Sequence, residues 1–192
     1  MKLILASNNS AKIKEYKELL GPHGYEIITM KEAGIDSDPE ETGNTYEENA
    51  RIKAKAVWDI VHEPVIADDS GLEIDALDGQ PGLYTKRFAE PGKHCEKILN
   101  MMEGIPTKDR TARLICAICY IGNDGKPLVV RGTCNGIISE HVKHVRGVSD
   151  IYCYQILMRG DKTLAELHAS ERNKISHRAK AAKCFVDLVH KI

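Results

Sequence analysis

The first thirty residues alternate between apolar runs and one amphipathic segment, and this alternation constrains the fold more than any other feature. Residues 2–6 and 25–30 are apolar runs of strand length. Between them, residues 11–20 place four apolar side chains at helical spacing, and Gly-Pro-His-Gly at 21–24 ends the helix. The pattern predicts a strand–loop–helix–strand unit, the building block of α/β proteins.

The rest of the chain continues this mixture of helix-period and strand-period segments. Gly-Asn-Asp-Gly at residues 122–125 separates two apolar runs and predicts a β-hairpin. The elements predicted are helices over 46–61, 94–103 and 176–190, and strands over 64–67, 113–121 and 127–134. We therefore expect one α/β domain over residues 1–192, with no separate linker. It would have a central sheet, a second lobe built on the hairpin, and the active cleft between the lobes.

Charge and hydropathy argue against several kinds of partner. The chain has 27 Lys and Arg against 28 Asp and Glu, a net charge of −1. We therefore expect no broad nucleic-acid surface, and a phosphate ligand would need a local basic pocket. No apolar run approaches the length of a membrane-spanning helix, and the apolar start is shorter than the core of a signal peptide. We expect a cytoplasmic protein with no nucleic-acid or membrane partner.

Six cysteines are scattered along the chain rather than grouped into a framework. Cys116 and Cys119 have the C-x-x-C spacing of some metal and redox sites, but they lie in the predicted strand 113–121 and no second pair accompanies them. Residues three apart in a strand point to opposite faces. The sequence favours buried free thiols over a metal or redox site, and we expect no disulfides.

Two pairs of acidic residues are separated by one predicted helix. Asp68 and Asp69 follow the apolar run 64–67, and adjacent carboxylates on a buried strand need cations or hydrogen-bond donors to stay ionised. Mg²⁺ takes oxygen ligands, often one or two carboxylates completed by phosphates and water. Glu40 and Glu41 would add a second pair, although taken alone they fit a solvated loop better.

Two segments have the donors needed to bind phosphate. Ser7, Asn9 and Lys12 open a predicted helix whose free backbone amides favour an anion. The alternative is an ordinary N-cap with a solvated lysine, because the glycines of a Walker loop are absent. His177 and Arg178 open the last helix, where a cation opposes the helix dipole unless an anion is present.

Asn49 and Lys53 lie four residues apart, and they therefore share one face of the predicted helix 46–61. In that position Lys53 could neutralise a phosphate or steer an aspartate. An exposed lysine paired with Glu48 or Asn49 fits the spacing equally well.

Six motifs follow one another along almost the whole chain. They are Ser-x-Asn-x-x-Lys at 7–12, Glu-Glu-Thr-Gly at 40–43 with Glu-Asn-Ala at 48–50 and Lys53, Ala-Asp-Asp-Ser-Gly-Leu at 67–72, Gly-x-Pro-Gly-x-Tyr at 79–84, Lys-Thr-x-Ala-Glu-Leu at 162–167 and Ile-Ser-His-Arg at 175–178. This series resembles the inosine/xanthosine triphosphate pyrophosphatase family, which hydrolyses non-standard purine nucleoside triphosphates to monophosphate and pyrophosphate. The resemblance implies an elongated, two-lobed fold around a long mixed β-sheet with flanking helices, a Mg²⁺ cofactor and a homodimer.

The resemblance also implies roles for particular residues. Asp69 would be the catalytic base, supported by Asp68, and Glu40 with Asp69 would bind Mg²⁺. The other residues would bind the substrate: Ser7, Asn8, Asn9, Ser10, Ala11 and Lys12 around the triphosphate, Lys53 on the phosphate side, Ser70 beside the substrate, and His177 with Arg178 at the base.

Two positions depart from the family pattern. The family's Gly-Phe-Gly-Tyr-Asp-Pro-like loop corresponds to residues 147–154, where Val148 replaces the stacking phenylalanine. The aspartate position falls on Ile151, on Asp150 with a one-residue gap, or on Tyr152 or Cys153 counted from Lys162. A family lysine that contacts the substrate falls on Arg172, which keeps the charge but not the geometry.

Three hypotheses follow from these patterns. The first is a Mg²⁺-dependent pyrophosphatase acting on ITP, dITP or XTP, with Asp150 and Arg172 among its substrate-binding residues. The second keeps this chemistry but shifts the base specificity through residues 147–154. The third is a nucleotide-binding protein that has lost turnover, against which the intact Asp68–Asp69 pair argues.

Overall fold

A computed structural model of the chain describes residues 1–145 and 152–190. Within these residues it contains five helices and eight strands, which confirms the mixed α/β class. In chain order they are β1 (Lys2–Leu5), α1 (Ser10–Leu20), β2 (Glu26–Thr29), α2 (Tyr46–Val61), β3 (Val65–Ile74), β4 (Pro81–Gly82), α3 (His94–Met101), β5 (Thr111–Ile121), β6 (Pro127–Ile138), β7 (Leu157–Arg159), β8 (Lys162–Thr163), α4 (Ala169–Ile175) and α5 (His177–Val189). No helix of the described residues has the length and apolarity needed to span a membrane.

The strands form one sheet in the order β2-β1-β3-β5-β6-β7-β8, with β4 paired to β3. β1 runs parallel to both β2 and β3, with Leu3 opposite Ile27 and Ile4 opposite Val65. Parallel neighbours need a crossover connection, and α1 and α2 lie in the segments that join these strands. The pairs β3–β4, β6–β7 and β7–β8 are antiparallel. The expected long mixed sheet is therefore confirmed.

The chain divides into two compact units, and each has its own hydrophobic core. The first unit comprises residues 1–69, 116–132 and 178–192, and the second comprises 70–115 and 133–177. The first core includes Leu3, Tyr16, Leu20, Ile66, Ile118 and Phe185. The second includes Leu72, Ile98, Met102, Leu114, Leu157 and Leu164. Burial of these apolar side chains is the main favourable contribution to folding of each unit.

Helix α2 begins and ends at the residues expected from the sequence. Thr45 is its N-cap, and the Thr45 side chain accepts a hydrogen bond from the Glu48 amide at 3.1 Å. The Glu48 carboxylate accepts from the Asn44 amide at 2.6 Å, one residue earlier than in the expected capping box. Asn49 lies on the buried face of α2 and is 2% exposed. A polar side chain in that position needs polar partners.

Strand β3 is longer than expected. The sequence predicted a strand over 64–67 followed by the acidic pair, whereas β3 continues to Ile74 and contains Asp68 and Asp69. Leu72 and Ile74 are fully buried and extend the apolar pattern beyond the aspartates. Consecutive strand residues point to opposite faces, so the two carboxylates meet different surroundings.

The sequence predicted a closing helix over 176–190, and α5 (His177–Val189) confirms it to within one residue at each end. Ser176, the expected N-cap, is the extended residue between α5 and the preceding helix α4, which was not predicted. Helix α4 begins with a capping box, in which the His168 side chain accepts from the Ser170 amide and Glu171 accepts from the His168 amide. Histidine is not among the usual N-cap residues, and for that reason the sequence did not predict α4.

The cysteines are free thiols, as expected. Cys116 and Cys119 are fully buried in β5. Cys95, Cys134 and Cys153 are also buried, and Cys184 is exposed.

Candidate active site

Asp68 lies at the centre of a buried cluster of charges in the first unit. Its side chain is fully buried, and its Oδ1 lies 3.0 Å from the Lys12 ammonium. Its Oδ2 accepts from the Nε of Arg178 at 3.4 Å. Lys12 comes from the first turns of α1 and Arg178 from the start of α5, so two helices supply cations to one carboxylate of β3.

The other end of Arg178 is held by Glu15. An Nη1 hydrogen of Arg178 is donated to the Glu15 carboxylate, and both residues are buried. Glu15 follows Lys12 by three residues on α1, so the two side chains share one helix face. Two buried carboxylates, Asp68 and Glu15, are thus matched by the cations of Lys12 and Arg178. Removing one partner from such a buried pair leaves an uncompensated charge, which costs about 3–5 kcal/mol.

Cys116 and Tyr16 extend this cluster. The Cys116 thiol donates to Asp68 Oδ2 at 3.8 Å, and the Tyr16 hydroxyl lies 3.7 Å from the Cys116 sulfur. Burial, together with the nearby Asp68 charge, raises the pKa of Cys116 to about 12 and that of Tyr16 well above its ordinary value. Both groups therefore stay protonated near neutral pH and can act as donors.

The charges around Asp68 keep it ionised. Burial alone would raise its pKa, but Lys12, Arg178 and Lys53 outweigh burial and hold the pKa well below the ordinary range. A carboxylate in this state neither gives nor takes a proton near neutral pH. Asp68 is suited to holding the Lys12 ammonium in place.

Asp69 faces a different set of partners. Its Oδ1 accepts from the Lys53 ammonium at 2.9 Å, and the same ammonium donates to Glu41 Oε1 at 2.8 Å. Its Oδ2 accepts from the Asn49 amide at 3.4 Å. Lys53 and Asn49 both come from α2. The alternative of an exposed Lys53 paired with Glu48 or Asn49 is wrong, because Lys53 joins Asp69 to Glu41.

The pKa values of the two adjacent aspartates shift in opposite directions. Burial raises the pKa of Asp69 and outweighs the lowering effect of Lys53 and Lys12. Burial would lower the pKa of Lys53, but Asp69 and Asp68 outweigh it and keep that ammonium charged. Pairs of acids whose surroundings separate their pKa values are typical of acid–base sites. Asp69 is the carboxylate better suited to take a proton.

The acidic loop, residues 40–43, differs from the expected metal site in one respect. Glu41, not Glu40, shares Lys53 with Asp69. Glu40 is exposed, and among the residues that the structure describes it has no hydrogen bond or ion pair. Over 1–145 and 152–190, no three His, Cys, Asp or Glu side chains converge on a metal position. Asp69 and Glu41 nevertheless both contact the Lys53 ammonium. One or two carboxylates, completed by phosphate and water, suit Mg²⁺.

The segment 7–12 has a capped helix start. Asn9 is the N-cap of α1, and its side-chain oxygen accepts from the Ala11 and Lys12 amides at 2.9 and 3.2 Å. The Asn9 amide donates to the Ser7 hydroxyl at 3.2 Å. Asn8 and Ser10 are exposed. The helix start thus matches the ordinary N-cap alternative, while Lys12 is paired with Asp68 rather than solvated.

Of the remaining predicted residues, three lie in the second unit, Asp150 lies outside the described residues, and Arg178 belongs to the first unit. Arg172 and His177 both contact Tyr154: the guanidinium lies 5.6 Å from the ring centroid, and the imidazole meets the ring edge-on at 5.9 Å. Ser70 also belongs to this unit and is half-buried. Asp150 lies outside the described residues. Arg178, expected at a purine base, is 2% exposed and engaged by Glu15 and Asp68.

Four residues that contact the charged groups of the site were not predicted from the sequence: Glu15, Glu41 as the partner of Lys53, Tyr16 and Cys116. Glu15 had one usable signal, its position three residues after Lys12 on a helix. The others depend on which strands and helices become neighbours, and no local pattern shows that.

These features define a mixed α/β protein in which one strand carries two carboxylates matched by cations from three helices. A sequence model of the Ham1 family matches residues 3–188. The chain belongs to the Ham1 family.

Relatives and solved structures agree with this assignment. A dITP/XTP pyrophosphatase of Bacillus subtilis is 44% identical over 184 residues, covering 94% of this chain and 92% of the relative. One of Dictyoglomus thermophilum is 43% identical, covering 96% and 94%. The Ham1 protein structure from Staphylococcus aureus is 36% identical with a TM-score of 0.84, covering 100% of this chain and 99% of that one.

Proposed function

We propose that this protein hydrolyses non-standard purine nucleoside triphosphates (ITP, dITP and XTP) to the monophosphate and pyrophosphate, with Mg²⁺, and so cleanses the nucleotide pool. The observation that carries the proposal is the adjacent pair Asp68 and Asp69 in β3. Lys12 and Arg178 surround Asp68, whereas Lys53 and Asn49 hold Asp69. The curated names of the relatives in Bacillus subtilis and Dictyoglomus thermophilum support the substrate class.

Asp69 and Glu40 would hold Mg²⁺, and Glu41 is the further carboxylate within reach of the same lysine as Asp69. When bound, the ion supplies positive charge to the phosphate oxygens and lowers the cost of charge building there. This assignment is supported by the donor set, since hard oxygen ligands suit Mg²⁺.

Asp69 orients the attacking water and takes its proton. A general base must lie within hydrogen-bond reach of the proton that it takes, directly or through one water. Lys53 holds one oxygen of Asp69 and leaves the carboxylate in a defined orientation. A positioned carboxylate places the water in line with the bond to the leaving pyrophosphate.

Lys12 binds the triphosphate, together with Ser7, Asn8, Asn9, Ser10 and Ala11. Asp68 holds the Lys12 ammonium at 3.0 Å, and Arg178 and Cys116 hold Asp68. The lysine is therefore oriented before substrate arrives, which reduces the ordering cost of binding. Backbone amides of the first turn of α1 add donors if a phosphate oxygen takes the place of the Asn9 side chain.

The other substrate contacts are assigned to Ser70, Asp150 and Arg172, and the contact with the base is assigned to His177. Arginine and histidine can donate to a purine O6, which hypoxanthine and xanthine have and adenine lacks. Arg178, whose hydrogen bonds go to Glu15 and Asp68, is assigned to the support of Asp68 instead.

We also propose that the protein is a homodimer and acts in the cytoplasm. Five buried free thiols and the absence of disulfides among the described residues suit a reducing compartment. The dimer rests on the family resemblance. Light scattering after gel filtration tests it, since a monomer mass at micromolar concentration would contradict it.

The function is tested by incubating the purified protein with ITP, dITP, XTP, ATP, GTP and a pyrimidine triphosphate, with and without Mg²⁺. We expect pyrophosphate from ITP, dITP and XTP well above the other three, and loss of product when EDTA removes the metal. Faster cleavage of a pyrimidine triphosphate would favour the shifted-specificity hypothesis. Binding without product would favour a protein that has lost turnover.

A further inference from the structure

Asn49 and Lys53, one turn apart on α2, each join Asp69 to the acidic loop. The Lys53 ammonium donates to Asp69 Oδ1 at 2.9 Å and to Glu41 at 2.8 Å. The Asn49 amide donates to Asp69 Oδ2 at 3.4 Å, and Asn49 Oδ1 accepts from the Gly43 amide at 2.8 Å. Both oxygens of Asp69 are thus held by one face of one helix, and each holder is anchored to the loop.

The orientation of the Asn49 side chain follows from the Gly43 contact. A backbone N–H can only donate, so it must meet the oxygen of the side-chain amide. The NH₂ group then faces Asp69, where it can only donate. The carboxylate of Asp69 can only accept while it is ionised, so the two contacts agree.

The close approach of the loop to Asn49 depends on glycine at position 43. A Cβ at that position would lie 2.6 Å from the Cβ of Glu48 and 2.7 Å from Asn49 Oδ1. At such distances either the backbone or the Asn49 side chain would have to move. Gly43 therefore allows its amide to reach Asn49.

Asn49 is 2% exposed, so its two polar ends depend on protein partners. Asparagine satisfies both at once, since one side accepts and the other donates. Aspartate would keep the acceptor for Gly43 and lose the donor to Asp69. Serine is too short to reproduce both contacts.

We propose that Asn49 is a positioning residue for the reaction, holding the Asp69 carboxylate in a fixed orientation relative to the acidic loop. The proposal rests on the proposed function, in which Asp69 is the base. Asn49 acts through Asp69 and Gly43. Its neighbour Lys53 supplies charge, whereas Asn49 supplies orientation without changing the charge of the site.

The test compares Asn49→Asp and Asn49→Ser with wild type and with Asn44→Asp. The Asn44 side chain is exposed, and Asn44→Asp makes the same atomic exchange and charge change on the neighbouring loop. Partners that orient catalytic or metal-binding carboxylates typically contribute 10–100-fold to activity or metal affinity. We expect kcat for dITP to fall by roughly 10–100-fold in both Asn49 variants, with KM nearly unchanged. The Mg²⁺ concentration for half-maximal activity should rise, and Asn44→Asp should behave like wild type.

The outcomes separate the two proposals. Wild-type kcat in a folded Asn49→Asp protein would overturn the role of Asn49 while leaving the function intact. So would a fall in activity that follows only the folded fraction measured by circular dichroism. If Asn49→Asp does not fold, Asn49→Ser decides the question by the same kcat and KM comparison. A wild-type protein that releases no pyrophosphate from any triphosphate would overturn the function and this role together.

Discussion

The carboxylate of Glu15 and the guanidinium of Arg178 form an ion pair inside the first unit, although 163 positions separate them in the chain. The pair ties α1 to α5 and holds Arg178 against Asp68. Through Asp68 it also acts on Lys12, the lysine assigned to the triphosphate. The position of this proposed substrate-binding lysine therefore depends on two residues that are themselves buried.

Replacing Glu15 with glutamine should lower the free energy of unfolding by about 3 kcal/mol, because the Arg178 charge would lose one of its two buried carboxylate partners. The urea unfolding midpoint measures this loss. Asp59→Asn is the control, since it removes an exposed ion pair with Lys55, and such pairs contribute little. Equal midpoints for the two variants would contradict the importance of the buried pair.

Replacing Asp68 with asparagine should destabilise the fold more than replacing Asp69. The Asp68 variant leaves Lys12 and Arg178 with only Glu15 between them, a loss of about 3–5 kcal/mol. In the Asp69 variant, Lys53 keeps its contact with Glu41. Thermal unfolding followed by circular dichroism compares the two. A less stable Asp69 variant would contradict the assignment of Asp68 as the supporting carboxylate.

Replacing Lys12 with methionine should raise KM for the triphosphate by roughly 10–100-fold, the range expected for a lost charge-assisted hydrogen bond. The methionine keeps the apolar stem. Lys14→Met is the matched control, because Lys14 is exposed on the same helix. Initial rates over a range of dITP concentrations give KM for each protein. An unchanged KM in the Lys12 variant would remove this lysine from the binding site.

One thiol of the native protein should react rapidly with a disulfide reagent, and five should react slowly. Cys184 is exposed, whereas burial raises the pKa of Cys95 and Cys119 to about 11 and, with Asp68 nearby, that of Cys116 to about 12. At pH 8 the thiolate fraction of these buried thiols is about one in a thousand or less. Spectrophotometric titration counts the fast thiols, and the urea-unfolded protein should show all six. Rapid modification of Cys116 in the native protein would contradict its burial beside Asp68.

Local signals predicted the elements whose ends are set by nearby residues. Helix α2 matches its expected bounds because the Thr45 cap and one apolar face specify both its start and its direction. Strand β3 was predicted too short, since an acidic pair ordinarily interrupts a buried strand. The neutralising cations come from α1, α2 and α5, which the sequence of β3 does not reveal.

The sequence predicted the charged residues of the candidate site that lie in motifs. It did not predict the buried residues that hold those charged groups in place. The motifs include two aspartates and two lysines that form ion pairs in the structure. These pairs are Lys12 with Asp68 and Lys53 with Asp69. Glu15 was missed because its partner lies at the other end of the chain. Such contacts depend on the tertiary packing, which brings Lys12 of α1 and Arg178 of α5 to Asp68 of β3.

The most direct test of the proposed reaction is the product formed from dITP by wild type and by Asp69→Asn, at saturating Mg²⁺. We expect deoxyinosine monophosphate and pyrophosphate in equal amounts from wild type, without orthophosphate. We expect a folded Asp69→Asn protein whose rate is lower by roughly 10²–10⁴-fold, the contribution of a general base. Orthophosphate as the first product, or full activity in the Asp69 variant, would contradict the proposed reaction and its base.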